Sequence, residues 1–438
     1  MQISIQSSPH YSDLLGDEEL ALILSESTEI RSFIDVEISL ANAQSALGLI
    51  PETAGAGIAA SLAKVKPDGD VLGRGISTSG VPVPALLVEL RKVLPPELSQ
   101  WLHWGATSQD IVDTAMMLQL SRCLTLFDNR LSQLLDAFQH QSTLHAKTIM
   151  AARTRTQLAT PITLGLRIAQ WAQPLIALEK ELPRLRPRIA RVQFGGAAGA
   201  NSVVAPHGSA IAEHMANALG LSNSPPWHTD RSGVVSLANW LLQLCLSLGK
   251  MAKDLLIMSR SEIDELQAGQ AGGSSTMPQK ANPIQSETVV AMGKIAQALH
   301  TGICSAASPA EERDGASWSV EWVLLPQLLV TTGCTLRHCA SLANSFNVNH
   351  ERMRATVDEN AQLMAEAASF ALAEHMPRAD AQSLVRQALR STQPLDKALS
   401  ATCSIAIDWR TVLDPQAVCT PCGQVSQSIF AARARKEG

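Results

Sequence analysis

The chain has 438 residues, 46% hydrophobic and 17% charged, and its 40 acidic against 35 basic side chains leave a formal charge of −5. That length exceeds one ordinary core and calls for two or three packed regions. The mildly acidic balance, with no basic run, gives no reason to expect a nucleic-acid partner, and Met1-Gln2-Ile3-Ser4-Ile5 lacks the basic and apolar regions of a signal peptide.

Ala and Leu abound, aromatics are scarce, and no run of alternating β-branched residues with hairpin turns stands out, so an all-α fold is expected. Residues before about 110 read as short helices broken by Pro51, the Pro67-Asp68-Gly69 turn, Pro82, Pro84, Pro95 and Pro96. Ile111 to about Lys147 repeats apolar residues at helical spacing: Met117, Leu120, Leu124, Phe127, Leu131, Leu134, Leu135, Phe138. Pro161 to about Val192 also reads as helical, with Pro174, Pro183 and Pro187 expected to kink or break it. A third helix is expected from Ser236 to about Leu266, between Gly233 and Gly269. Its apolar stretch Leu237–Met258 is interrupted by Lys250, Lys253 and Asp254, which argues against a membrane span. Further helices are expected from Ile284 to about Cys304, after Pro283, and from Glu321 to about Asn344, with Pro326 in the first turns.

Helices of about 30 residues span about 45 Å. Such lengths are buried most simply in a long bundle completed by neighbouring subunits. The expected division is an N-terminal helical domain (1–110), a central long-helix bundle (111–350) and a C-terminal helical domain (351–438). Six cysteines stand alone and Cys419 and Cys422 form one CxxC, the pattern of reduced thiols in a cytoplasmic protein. The histidines show no metal-ligand spacing, so neither a metal nor a cofactor is expected.

The most informative segment is Gly269–Glu287, between two long helical patterns. Its glycines and serines suit either a surface linker or a loop whose backbone N–H groups approach an anion. Met277-Pro278, Lys280 and Asn282 two residues apart, and the Asn282-Pro283 stop favour the anion-binding or catalytic loop. Gly273-Ser274-Ser275-Thr276-Met277-Pro278-Gln279-Lys280-Ala281-Asn282-Pro283 resembles the signature loop of the fumarase/aspartase superfamily. The resemblance implies Ser274 as catalytic base, supported by Ser275, with Lys280 and Asn282 holding substrate carboxylates.

A second segment, His103-Trp104-Gly105-Ala106-Thr107-Ser108-Gln109-Asp110, opens the first long helix. Taken alone it suits a helix cap or a carboxylate site equally. It resembles the superfamily's threonine–serine substrate loop, which implies substrate binding by His103, Thr107 and Ser108. A third segment, Met150–Pro161, resembles the stretch in which adenylosuccinate lyase and fumarase carry a catalytic histidine, and here Arg155 stands at that position. Arginine is permanently charged and does no acid–base work, but binds a carboxylate through two parallel hydrogen bonds. A substrate-binding role follows for Arg155, with Gln157 beside it and Glu287 as a candidate ion-pair partner. A structural salt bridge is the plainer alternative.

Further segments resemble the carboxymuconate cycloisomerase branch: Gln193–Gly199, Pro226–Arg231 with Arg231 as a substrate ligand, Glu312–Asp314 with Trp318 and Glu321-Trp322, and Leu363–Ala367. The branch implies carboxylate addition across a double bond of a small polycarboxylate, and a homotetramer with shared sites. A lactone expels a carboxylate, stable as an anion above about pH 4, so no general acid is required. The alternative within the superfamily is a lyase releasing an amine or nitrite from a substituted succinate.

Overall fold

The computed structural model describes residues 8–270, 272–273 and 276–434, and their regular structure is mainly helical, with four short strands. The principal elements are α1 (Glu26–Ala46), α2 (Glu52–Leu62), α3 (Ser108–Leu144), β1 (Ile149–Thr154), β2 (Gln157–Thr163), α4 (Leu164–Ile189), α5 (Ser232–Met258), α6 (Ile284–Ser305) and α7 (Gly315–Ala343), with shorter helices before α3 and after α7. The apolar series read along α3 is buried throughout, from Met117 to Phe138, each 2% exposed or less. At 37 residues, α3 runs about 55 Å.

By packing, the chain forms two compact units that alternate along the sequence, a grouping different in kind from three consecutive segments. One comprises residues 1–130, 180–246 and 291–337, and the other 131–179, 247–290 and 338–438. In the first, α1 lays Phe33, Ile34, Val36 and Leu40 against Leu86, Leu90, Leu102, Ile111 and Phe194. In the second, Ile149, Ala151 and Leu166 share a core with Val357, Leu372, Val385, Leu399 and Trp409.

Three expectations need correction. A hairpin stands where none was read: β1 and β2 pair antiparallel, Thr154 opposite Gln157 and Ile149 opposite Thr163, so Pro161–Thr163 is strand and α4 begins only at Leu164. Pro161 is tolerated because a two-stranded ribbon leaves each strand one unpaired edge. Pro174, Pro183 and Pro187 lie inside an uninterrupted α4, held by buried Leu175, Leu178, Leu182 and Leu185. Finally, α5 stops at Met258 instead of reaching Leu266, and Asp264, between them, takes a left-handed φ of 50°. Among the described residues α5 is the one helix long and apolar enough to cross a membrane. Its Leu237, Trp240, Leu241, Leu244, Leu248, Met251 and Leu255 are instead buried in the protein.

Candidate active site

In the first unit, polar loops converge on the N-terminal turn of α3, where Asp110 is fully buried. Its Oδ2 accepts the backbone N–H of Thr107 at 3.0 Å and of Gly196 at 3.0 Å. Its Oδ1 accepts the N–H of Gly195 at 2.9 Å, meets His228 Nε2 at 2.9 Å, and takes a longer bond from Gln193 Nε2 at 3.4 Å. One carboxylate thereby ties the Gly195-Gly196 turn to the helix that carries Thr107 and Ser108. Glycine is required in this tight apposition. Gly105 and Gly196 have φ of 72° and 68°. A Cβ on Gly105 would come within 2.6 Å of Val204, and one on Gly196 within 3.2 Å of the Gly105 carbonyl.

One turn further along α3, Asp113 is also fully buried and receives Arg231 Nη1 at 2.8 Å, Trp318 Nε1 at 3.0 Å and Gln109 Nε2 at 3.1 Å. Arg231 turns its other edge to Glu321, with Nε 2.9 Å from Oε1 and Nη2 against Oε2. Burial works against the charge on Arg231, yet Asp113 and Glu321 outweigh it and raise its pKa. The Glu321 carboxyl is itself pushed up by burial, against the pull of Arg231. The substrate contact expected of Arg231 therefore meets a guanidinium 4% exposed and already held by two carboxylates. Gln109 passes the network outward: its Oε1 accepts Arg313 Nε at 3.0 Å, and Arg313 reaches the Ala197 carbonyl at 3.1 Å.

His103 adopts φ 66° and places Nδ1 2.6 Å from Oε1 of the fully buried Glu37. Burial disfavours its charge, but Glu37 prevails and lifts its pKa above the ordinary histidine value. Its Nε2, and the hydroxyls of half-buried Thr107 and Ser108, carry no hydrogen bond among the described residues. With the free N–H groups of the first helical turn, they form a cradle suited to a carboxylate.

In the second unit, Arg155 and Thr156 form the two-residue tip of the hairpin, with φ of 49° and 71°. Such turns favour Asn-Gly, and a β-branched residue at positive φ is strained. Arg155, Thr156 and Gln157 are all exposed. The stem is anchored below them by Arg153, whose two terminal nitrogens each lie 2.8 Å from the buried carboxylate of Glu265. Arg155 and Glu287, the candidate ion pair, are both exposed, and within the chain neither has an ion-pair partner among the described residues.

The loop after α5 is closed at its base by a two-bond bridge between Gly272 and Asn282, with both N–H···O distances 2.9 Å. A Cβ on Gly272 would come within 2.1 Å of the Ile284 terminal methyl, which would have to turn aside. Asn282 Nδ2 reaches the Gly273 carbonyl at 3.4 Å, while Lys280 is exposed with its backbone N–H on the Met277 carbonyl at 3.0 Å. Ser274 and Ser275 lie outside the described residues. The structure thus groups His103, Thr107, Ser108 and Arg231 in one unit, and Arg155, Gln157, Lys280, Asn282 and Glu287 in the other. Sequence reasoning assigned no role to Asp110, Asp113 or His228. The available signal was two aspartates one turn apart where an apolar helix begins.

A family model described as lyase matches residues 25–298. The 3-carboxy-cis,cis-muconate cycloisomerase of Bradyrhizobium diazoefficiens is 34% identical over 395 residues, 88% of this chain and 87% of that protein. The protein of the same name from Acinetobacter baylyi is 32% identical over 92% of each chain. Among solved structures, 3-carboxy-cis,cis-muconate lactonizing enzyme from Pseudomonas putida superposes with a TM-score of 0.90 at 30% identity, covering 98% of this chain and 99% of that one.

Proposed function

We propose that this chain, which belongs to the lyase family of the fumarase/aspartase superfamily, interconverts 3-carboxy-cis,cis-muconate and a carboxymuconolactone. The observation that carries the reading is Arg155, exposed at a strained hairpin tip where other branches of the superfamily place a histidine. A lactone carboxylate leaves without a proton, so an enzyme for this reaction can dispense with a general acid and gains from a fixed cation. The similarity to cycloisomerases across most of the chain supports the same choice.

In the lactonising direction, one substrate carboxylate attacks a double-bond carbon and a C–O bond forms. The displaced electron pair moves to the carbon beside a second carboxylate and delocalises into it as an aci-carboxylate. Lys280, Asn282 and the amides of the 272–275 loop would stabilise that charge, a task of the oxyanion-hole kind. Ser274 would deliver a proton to the carbon, and remove it in the reverse direction. Serine is a weak base in water and serves only where cations and aligned amides hold its oxyanion in a closed site. The cradle of His103, Thr107 and Ser108 would hold a further carboxylate, while Arg155 and Gln157 would orient the attacking one. Glu287 would take up Arg155 once the assembly forms, and Ser275 would support its neighbour. Arg231 acts in this scheme as a positioning residue. The assembly is a homotetramer of a cytoplasmic enzyme, its sites built from segments of different subunits, which gives the long helices the partners their length demands.

The purified protein, given 3-carboxymuconate, should consume the diene absorbance. Ser274→Ala should lose several orders of magnitude in turnover with an unchanged circular-dichroism melt. Release of nitrite or amine from substituted succinates, with carboxymuconate left untouched, would replace this reading by the lyase alternative. Near-normal turnover in Ser274→Ala would remove the serine from its role.

A further inference from the structure

A cleft of about 540 Å³ lies wholly within the second unit, walled by the hairpin, the start of α4 and the end of α5. That is a common size for a small-molecule site. Four cations line it, Arg153, Arg167, Lys250 and Arg260, against one carboxylate, Asp254. Two of the four are committed. Arg153 is clamped on Glu265, and Lys250 lies on Asp254, which also accepts Trp171 Nε1 at 2.8 Å. Arg260 has only a 4.0 Å approach to exposed Glu262. Arg167 is half-buried and makes no bond to a carboxylate: its one hydrogen bond among the described residues runs 3.8 Å to the Met258 sulfur.

A partly desolvated guanidinium that bonds no carboxylate is costly. Burial pushes the pKa of Arg167 down, Asp254 and Glu265 offset this only in part, and Arg153 adds to it. Protein carboxylates within reach already serve other donors. The missing partner is therefore an anion from outside the unit. Thr154 and Thr156 line the same cleft and offer hydroxyl donors, and Gln170 an amide.

We propose that this cleft binds a small polyvalent oxyanion, a di- or tricarboxylate or a phosphate, between Arg167 and Arg260, and that its occupancy clamps the hairpin carrying Arg155. The ligand would bridge the hairpin wall to α4 and α5, fixing a tip whose two residues sit at unfavourable φ. The binding stands whatever reaction the enzyme catalyses, because it uses none of the residues assigned to the substrate.

The test is titration calorimetry of the full-length protein with citrate, succinate and inorganic phosphate at constant ionic strength, alongside amide exchange of residues 152–157. Saturable binding is expected for one of these anions, with slowed exchange at the hairpin. Arg167→Gln should weaken it roughly ten- to hundredfold, the usual scale for a charge-assisted hydrogen bond. Exposed Arg260→Gln should weaken it less, and serves should Arg167→Gln fail to fold. Lys280→Ala should leave binding intact. Carboxylate and phosphate arms separate the two sources of the anion. Absence of saturable binding by all three anions overturns the proposal. So does binding that survives both arginine substitutions, or that is lost in Lys280→Ala and kept in Arg167→Gln.

Discussion

The two groups of candidate site residues are held in opposite ways. Around the start of α3 the buried aspartates and Arg231 are already engaged: Asp110 takes five donors, and Arg231 lies between Asp113 and Glu321. At the hairpin tip and the 272–282 loop, Arg155, Gln157 and Lys280 stand exposed, Arg155 on a strained two-residue turn. Similar residue types therefore do different work. A charge that already has its counter-charges builds the site, and a charge left without one is available to a ligand. Burial and partner count, not residue identity, separate Arg231 from Arg155.

Removing Arg231 should produce the largest change in stability. Arg231→Met keeps most of the volume but leaves two buried carboxylates without their cation, a loss of about 3–5 kcal/mol. Denaturant unfolding would register it. A stable Arg231→Met with selectively impaired substrate affinity would return Arg231 to the substrate contacts and erase the contrast. The His103–Glu37 pair comes next and carries a pH signature. The pKa of His103 is raised in the folded protein, so folding binds the proton. Its stabilisation is complete below the unfolded value of about 6.5 and fades as pH rises through the higher folded value. His103→Asn, a residue tolerant of positive φ, should melt well below the parent near pH 6, and the gap should narrow as pH rises. A gap independent of pH would mean that Glu37 does not raise the His103 pKa, and a gap that widened with pH would mean that His103 is held neutral.

Much of this contrast was beyond the sequence, for physical reasons. The apolar series from Met117 to Phe138 gave α3 directly, because a 3.6-residue period leaves one face to bury. The loop at Gly273–Pro283 stands out in the sequence because glycines, a lysine and an asparagine together serve poorly as a linker. The hairpin was not legible: Ala151 and Ala152 weaken its alternation, and Arg155-Thr156 replaces the usual turn residues. Nor was the fate of Arg231, since its partners lie 118 positions before it and 90 after. Only the folded chain brings such distant residues together, so a motif identified the neighbourhood without saying which cation was already neutralised.

The exposed side of the comparison predicts effects on binding. Arg155→Met should raise KM by roughly ten- to hundredfold through loss of a charge-assisted contact, with the thermal melt unchanged. A falling kcat at constant KM would instead place the arginine's work in the transition state.

The smallest expected effect probes why the tip is strained at all. Thr156 holds a β-branched side chain at φ 71°, where an L-residue costs about 1–2 kcal/mol. Thr156→Gly removes that cost but loosens the unfolded chain by about 0.5–1 kcal/mol. The net should be a gain of at most about 1.5 kcal/mol, read as slower amide exchange along β1 and β2. If the strain only reflects a tolerated sequence, KM should stay put as the hairpin settles. If it holds Arg155 at the angle a carboxylate needs, KM should rise while stability improves. That opposite movement of affinity and stability is one that a purely structural turn would not produce.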